Sequence, residues 1–88
     1  MTARKKPRTD LRPVSDLRPG SRLWYPYERV EVEILRDVEP GTDQFGRPLL
    51  RYWARRVDTG AEGYMDYGEG AEAPIVRGTV GNDVRTGR

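Results

Sequence analysis

The stretch from Leu49 to Tyr67, LLRYWARRVDTGAEGYMDY, constrains this chain more than any other. Leu49 to Asp58 mixes apolar, aromatic and arginine side chains in partial alternation, with no Gly or Pro to interrupt a strand. Thr59-Gly60 then supplies a turn, and Gly63-Tyr64-Met65 begins a return strand, so the pattern predicts a β-hairpin. An isolated hairpin cannot bury its apolar face and needs partner strands. With 88 residues in all, the rest of one small domain has to supply them.

The clearest partner is Glu28 to Val38. Val30, Val32, Ile34 and Val38 share one parity, opposite Glu31, Glu33, Leu35 and Asp37, which predicts a strand with one buried and one wet face. Arg36 interrupts the apolar parity near the far end. Before it, Arg18-Pro19-Gly20-Ser21 reads as a tight turn leading into a strand that carries Trp24, Tyr25 and Tyr27. Glu39 to Pro48, with two Pro and two Gly, predicts a protruding loop from which Phe45 folds back. Gly68 to Ala73 is a flexible acidic link, and residues 74–80 form a last strand. Its open edge can pair with a second copy of the chain. No segment carries an i, i+3, i+4 apolar stripe, so helix beyond a single turn is not expected.

Two registers suit the strand at 49–58. Either Leu50, Tyr52 and Ala54 point inward, or Leu49, Trp53 and Val57 do. The second buries more apolar area. The first places Arg51 and Arg55 on the outer face beside Glu31 and Glu33, where opposite charges pair across strands, and it leaves Trp53 outside. The first is preferred.

Trp53-Ala54-Arg55, Thr59-Gly60 and Gly63-Tyr64-Met65 together resemble the distal hairpin of SH3 and SH3-like domains. The Leu17-to-Leu23 entry is similar to the start of the first strand in SH3-like, KOW and Tudor barrels. The resemblance implies an all-β, five-stranded SH3-like barrel with strands near 22–27, 29–38, 49–58, 63–67 and 74–80. That divides the chain into a disordered basic arm (1–13), the barrel (14–80) and a flexible C-terminal tail (81–88). It also implies where a groove for proline-rich peptides would lie. The family's groove Trp falls at Arg51 and its following Pro at Asp66, the ALYDY-type motif is absent, and only Tyr67 lies near a groove position. The resemblance therefore speaks for the barrel more than for peptide recognition.

Composition narrows the chemistry. The chain has no Cys and no His, which removes disulfides, thiol nucleophiles, Cys/His zinc sites and imidazole acid–base catalysis. Ser15 and Ser21 lie outside any nucleophile motif, and no phosphate-binding glycine loop is present. Glu31 with Glu33, or Asp66 with Glu69, can be imagined as acid–base pairs or Mg²⁺ ligands, but a solvated strand face and a polar loop explain them better. No catalytic role, cofactor or metal is expected. Neither a membrane-length apolar run nor a signal-peptide stretch is visible, so a cytoplasmic location is expected. Of 16 basic residues, Lys5 and Lys6 are the only lysines. This arginine bias reflects GC-rich coding. In size and composition the chain resembles actinobacterial or phage accessory proteins that bind a host component.

Binding remains. The net charge of +2 hides basic ends and an acidic body. The expected site is a protein-interaction face centred on Trp53 with Arg51 and Arg55, the pairing of aromatic and arginine side chains found at interface hot spots. Tyr64, Tyr67 and Trp24 are its further candidates. Similarity to Tudor-like barrels implies an aromatic cage from Trp24, Tyr25, Trp53, Tyr64 and Tyr67. The alternative is nucleic acid, held through phosphate contacts from Arg4, Lys5, Lys6, Arg8 and Arg12. The expected partner is a host protein or a second copy, with nucleic acid as the alternative.

Overall fold

A computed structural model describes residues 6–82. Arg4 and Lys5, and residues 83–88 of the expected C-terminal tail, lie outside the described residues. Among the described residues the fold is all-β, as expected, but it has seven strands rather than five. These are β1 Thr9–Pro13, β2 Arg22–Tyr25, β3 Val30–Ile34, β4 Glu39–Thr42, β5 Pro48–Arg56, β6 Glu62–Gly68 and β7 Glu72–Val76. One 3-10 turn, Val14–Asp16, is the only helical element among the described residues, and none is long and apolar enough to cross a membrane.

Every pairing is antiparallel, and the strands lie in the order β1, β7, β2, β3, β5, with β6 on the other edge of β5. β3 and β4 share one edge of β5, β3 against Ala54–Arg56 and β4 against Pro48–Arg51. They act as two halves of a strand broken at residues 35–38. The break corrects the single strand expected over 29–38, and parity explains it. An unbroken strand would turn Arg36 into the core with Ile34 and Val38. Instead Ile34 is buried and Val38 packs on the core, while Arg36 turns outward over Trp53.

The expected loop at 39–48 shortens in the same way, since Glu39–Thr42 pairs with β5. Only residues 43–47 remain as a loop, and Asp43 closes it. Its Oδ1 accepts from the Phe45 N–H at 2.8 Å and the Arg47 N–H at 2.9 Å, and Gly46 takes φ +80°. Phe45 does not fold back. It is 71% exposed, with the Arg47 guanidinium 5.1 Å above its ring.

The arm expected over residues 1–13 is partly structured. Thr9–Pro13 pairs along the whole of β7, and Arg77 of the far terminus clamps Asp10 through two bonds of 2.8 and 3.0 Å. No alternation marks this segment, because its hold is backbone pairing and one ion pair. β7 consequently lies between β1 and β2, so the expected last strand ends at Val76 and is not an open edge. Asn82, in the expected flexible tail, is buried and donates to Asp10 and to the Ile75 carbonyl.

The core gathers Leu23, Val32, Ile34, Tyr52, Ala54, Ala73 and Ile75 from the sheet with Val14 of the 3-10 turn and Leu17 just after it. Tyr52 ties the two together by donating its hydroxyl to the Val14 carbonyl at 2.5 Å. Tyr52 and Ala54 point inward and Trp53 outward, the register that cross-strand charge pairing favoured.

Candidate functional site

The alternation that sends Tyr52 and Ala54 into the core sets Leu49, Arg51, Trp53 and Arg55 on the outer face of β5. β6 answers in register, Asp66 beside Arg51, Tyr64 beside Trp53 and Glu62 beside Arg55. The Trp53 and Tyr64 rings meet edge-to-face at 4.8 Å and 79°, a geometry worth about 0.5–1.5 kcal/mol beyond area burial. Arg36 lies over the Trp53 ring at 4.8 Å, and Arg51 over the Tyr64 ring at 5.1 Å. The outcome is one row across the sheet: Arg36, Trp53, Tyr64, Arg51.

Polar partners hold the row in place. Trp53 Nε1 donates to Glu62 Oε1 at 2.7 Å. Arg51 forks onto Asp66 at 2.8 and 3.1 Å. That fork holds the Asp66 carboxyl below the usual carboxylate range and raises the Arg51 guanidinium. Arg55 meets Glu33 at 3.1 Å, as expected. Arg51 does not reach Glu31 or Glu33. Arg22 takes that position, 3.5 Å from Glu31 and 3.7 Å from Glu33. Of the carboxylates imagined as acid–base pairs, Glu31, Glu33 and Asp66 are thus engaged with arginines. Among the described residues, no group of three or more His, Cys, Asp or Glu is placed to hold a metal ion.

Of the six expected binding residues, Trp53, Arg51, Arg55 and Tyr64 share this face. Two do not. Trp24 is only 2% exposed and presents no surface to a partner. Tyr67 turns inward, its hydroxyl 2.9 Å from that of Tyr25, and burial raises both phenols above the ordinary tyrosine value. An aromatic cage of Trp24, Tyr25, Trp53, Tyr64 and Tyr67 is therefore not assembled. Arg51 and Asp66, where the SH3 resemblance sets groove residues, are joined as an ion pair. Lys6 and Arg8 are exposed just before β1, and Arg12 faces Asp16 at 3.6 Å. In strand order they sit at the edge opposite β6.

Arg36 was missed. Its signal in the sequence is a cation interrupting an apolar parity, which marks a strand that breaks to expel it.

No protein-family model, curated protein or solved structure matches this chain.

Proposed function

We propose that the chain is a non-catalytic protein-interaction module on an SH3-like barrel, and that the outer face of β5 and β6 is its binding surface. The observation that carries this reading is the row Arg36, Trp53, Tyr64 and Arg51, a contacting pair of aromatic rings with a guanidinium group over each. Interfaces draw their strongest contacts from Trp, Tyr and Arg side chains held rigidly before the partner arrives. The ring pair and the Arg51–Asp66 fork supply that rigidity. The SH3-like reading rests on the hairpin motif and on strand order, with β7 returning beside β2 while β3, β5 and β6 run as a meander. The actinobacterial or phage source and the cytoplasmic location belong to the same proposal and rest on composition.

The nucleic-acid alternative rests on Lys6 and Arg8, exposed beside β1. Because β1 is part of the sheet, deleting residues 1–13 would damage the fold, and Lys6→Ser with Arg8→Ser is the cleaner perturbation. The test is capture from a GC-rich actinobacterial lysate, with nuclease added to one half, followed by calorimetry on the identified partner. Trp53→Ala is expected to weaken a nuclease-resistant partner by about 2 kcal/mol or more, roughly thirtyfold. Affinity unchanged by Trp53→Ala but lost with the Lys6/Arg8 pair, or lost wholly to nuclease, would refute the protein-interaction reading.

A further inference from the structure

A second surface lies beside the first, on the edge and inner side of β6 rather than its outer face. We propose that the free edge of β6, with the apolar cleft inside it, docks an extended peptide bearing alternate apolar and basic side chains, which joins the sheet as an added strand.

The backbone provides the first argument. Among the described residues, β6 pairs with β5 alone. The Trp53 carbonyl accepts from Leu35 N–H on the β3 side, so alternation along β5 directs Tyr52 and Ala54 at β6. The N–H and C=O groups of Glu62, Tyr64 and Asp66 therefore point to the open edge. The other edges are guarded. β1 ends in Pro13 and β4 contains Pro40, residues that cannot donate to an incoming strand. β6 runs seven residues with no Pro, Lys or Arg.

The cleft provides the second argument. It measures about 300 Å³ and opens between Tyr25, Val30, Val32, Ala54, Gly63 and Met65. It exists because Ala54 and Gly63 face each other in register and are both small. The fold does not require glycine at 63. Its φ lies outside the left-handed region, and an added Cβ would meet nothing within 4 Å. A strand glycine of this kind leaves room for another chain to approach.

Charge selects the occupant. Glu28 and Glu62 line the cleft, and Glu69 directly follows the end of β6. Arg56 also lines the cleft but is already forked onto Asp58 at 3.1 and 2.9 Å, and Arg51 is forked onto Asp66. A basic peptide complements this rim, whereas a second copy would set the same carboxylates against their own kind. Main-chain bonds would hold such a strand and alternate side chains would enter the cleft.

The test is an NMR titration of the isotope-labelled full chain with a seven-residue peptide alternating lysine with isoleucine or valine. Amide shifts confined to residues 62–67 and the cleft are expected. Gly63→Leu should weaken binding at least tenfold, as should replacing the peptide lysines by glutamate, while Phe45→Ser in the exposed 43–47 loop leaves it unchanged. Should Gly63→Leu fail to fold, Glu28→Lys with Glu69→Lys is expected to give the same loss. Equal binding of the glutamate peptide would overturn the proposal. So would loss with Phe45→Ser instead of Gly63→Leu, or self-association by sedimentation that Gly63→Leu abolishes.

Discussion

Tyr52→Phe deletes one oxygen from the centre of the molecule and measures what joins the N-terminal turn to the sheet. Tyr52 is fully buried, and its hydroxyl donates to the Val14 carbonyl at 2.5 Å. That carbonyl has a second donor, the Leu17 N–H at 3.1 Å, so removing the hydroxyl does not strand it. The loss is therefore one net hydrogen bond, about 1 kcal/mol, and not the ~1–3 kcal/mol of an orphaned buried acceptor. For a domain of this size that lowers Tm by roughly 4–8 °C. Tyr52→Ala removes the ring as well and should cost about 3–5 kcal/mol. Thermal unfolding followed by circular dichroism resolves all three states. A Tm for Tyr52→Phe within a degree of the parent would show that this bond does not secure residues 14–17. A loss as large as that of Tyr52→Ala would show that Leu17 does not satisfy the carbonyl, and the reasoning would fall.

Two further outcomes bear on the joined termini. Hydrogen bonds from Arg77, then Asn82, lower the Asp10 carboxyl from its ordinary 3.8 to about 2. A carboxyl depressed in the folded state contributes stability that is fully present above the unfolded value. Stability should thus fall as pH drops from about 3.8 towards 2, and Asp10→Asn should flatten that part of the profile. Equal differences between parent and variant at pH 5 and pH 2 would contradict this. Gly60 and Gly81 both have positive φ, +80° and +89°, but an added Cβ meets nothing at Gly60 and lies 2.7 Å from the Asp16 carbonyl oxygen at Gly81. Chemical denaturation of Gly60→Ala should show a loss of roughly 1 kcal/mol. Gly81→Ala should exceed it by about 1–3 kcal/mol, and equal losses would mean that residues 16–21 do not pack on the C-terminal segment.

Much of the central sheet was legible. Val30, Val32 and Ile34 alternate with glutamates and are buried as their parity predicts, and the hairpin at Leu49 to Tyr67 forms around its Thr59-Gly60 turn. Charge pairing selected the inward set Tyr52 and Ala54, against the larger apolar area that would have turned Trp53 inside. Trp53, Arg51, Arg55 and Tyr64, chosen from composition and spacing, come together on the outer face of β5 and β6. Trp24 and Tyr67 were not excluded, because an aromatic residue on a strand carries no mark of what will cover it.

What the sequence determined by itself is the class of fold and the inward or outward sense of most strand residues. Alternation and turn chemistry act within about ten residues, and β-pairing of period two leaves little freedom once one face is apolar. The tertiary structure alone decided which strands are neighbours. β1 exists because β7 arrives beside it and Arg77 reaches Asp10, 67 positions away, an arrangement without local pattern. The break at residues 35–38 depends on Trp53 of β5 standing opposite, ready to receive Arg36. The free edge of β6 follows from the same cause: an edge is a strand that no other segment reaches, and that is settled only when every other strand has found its place.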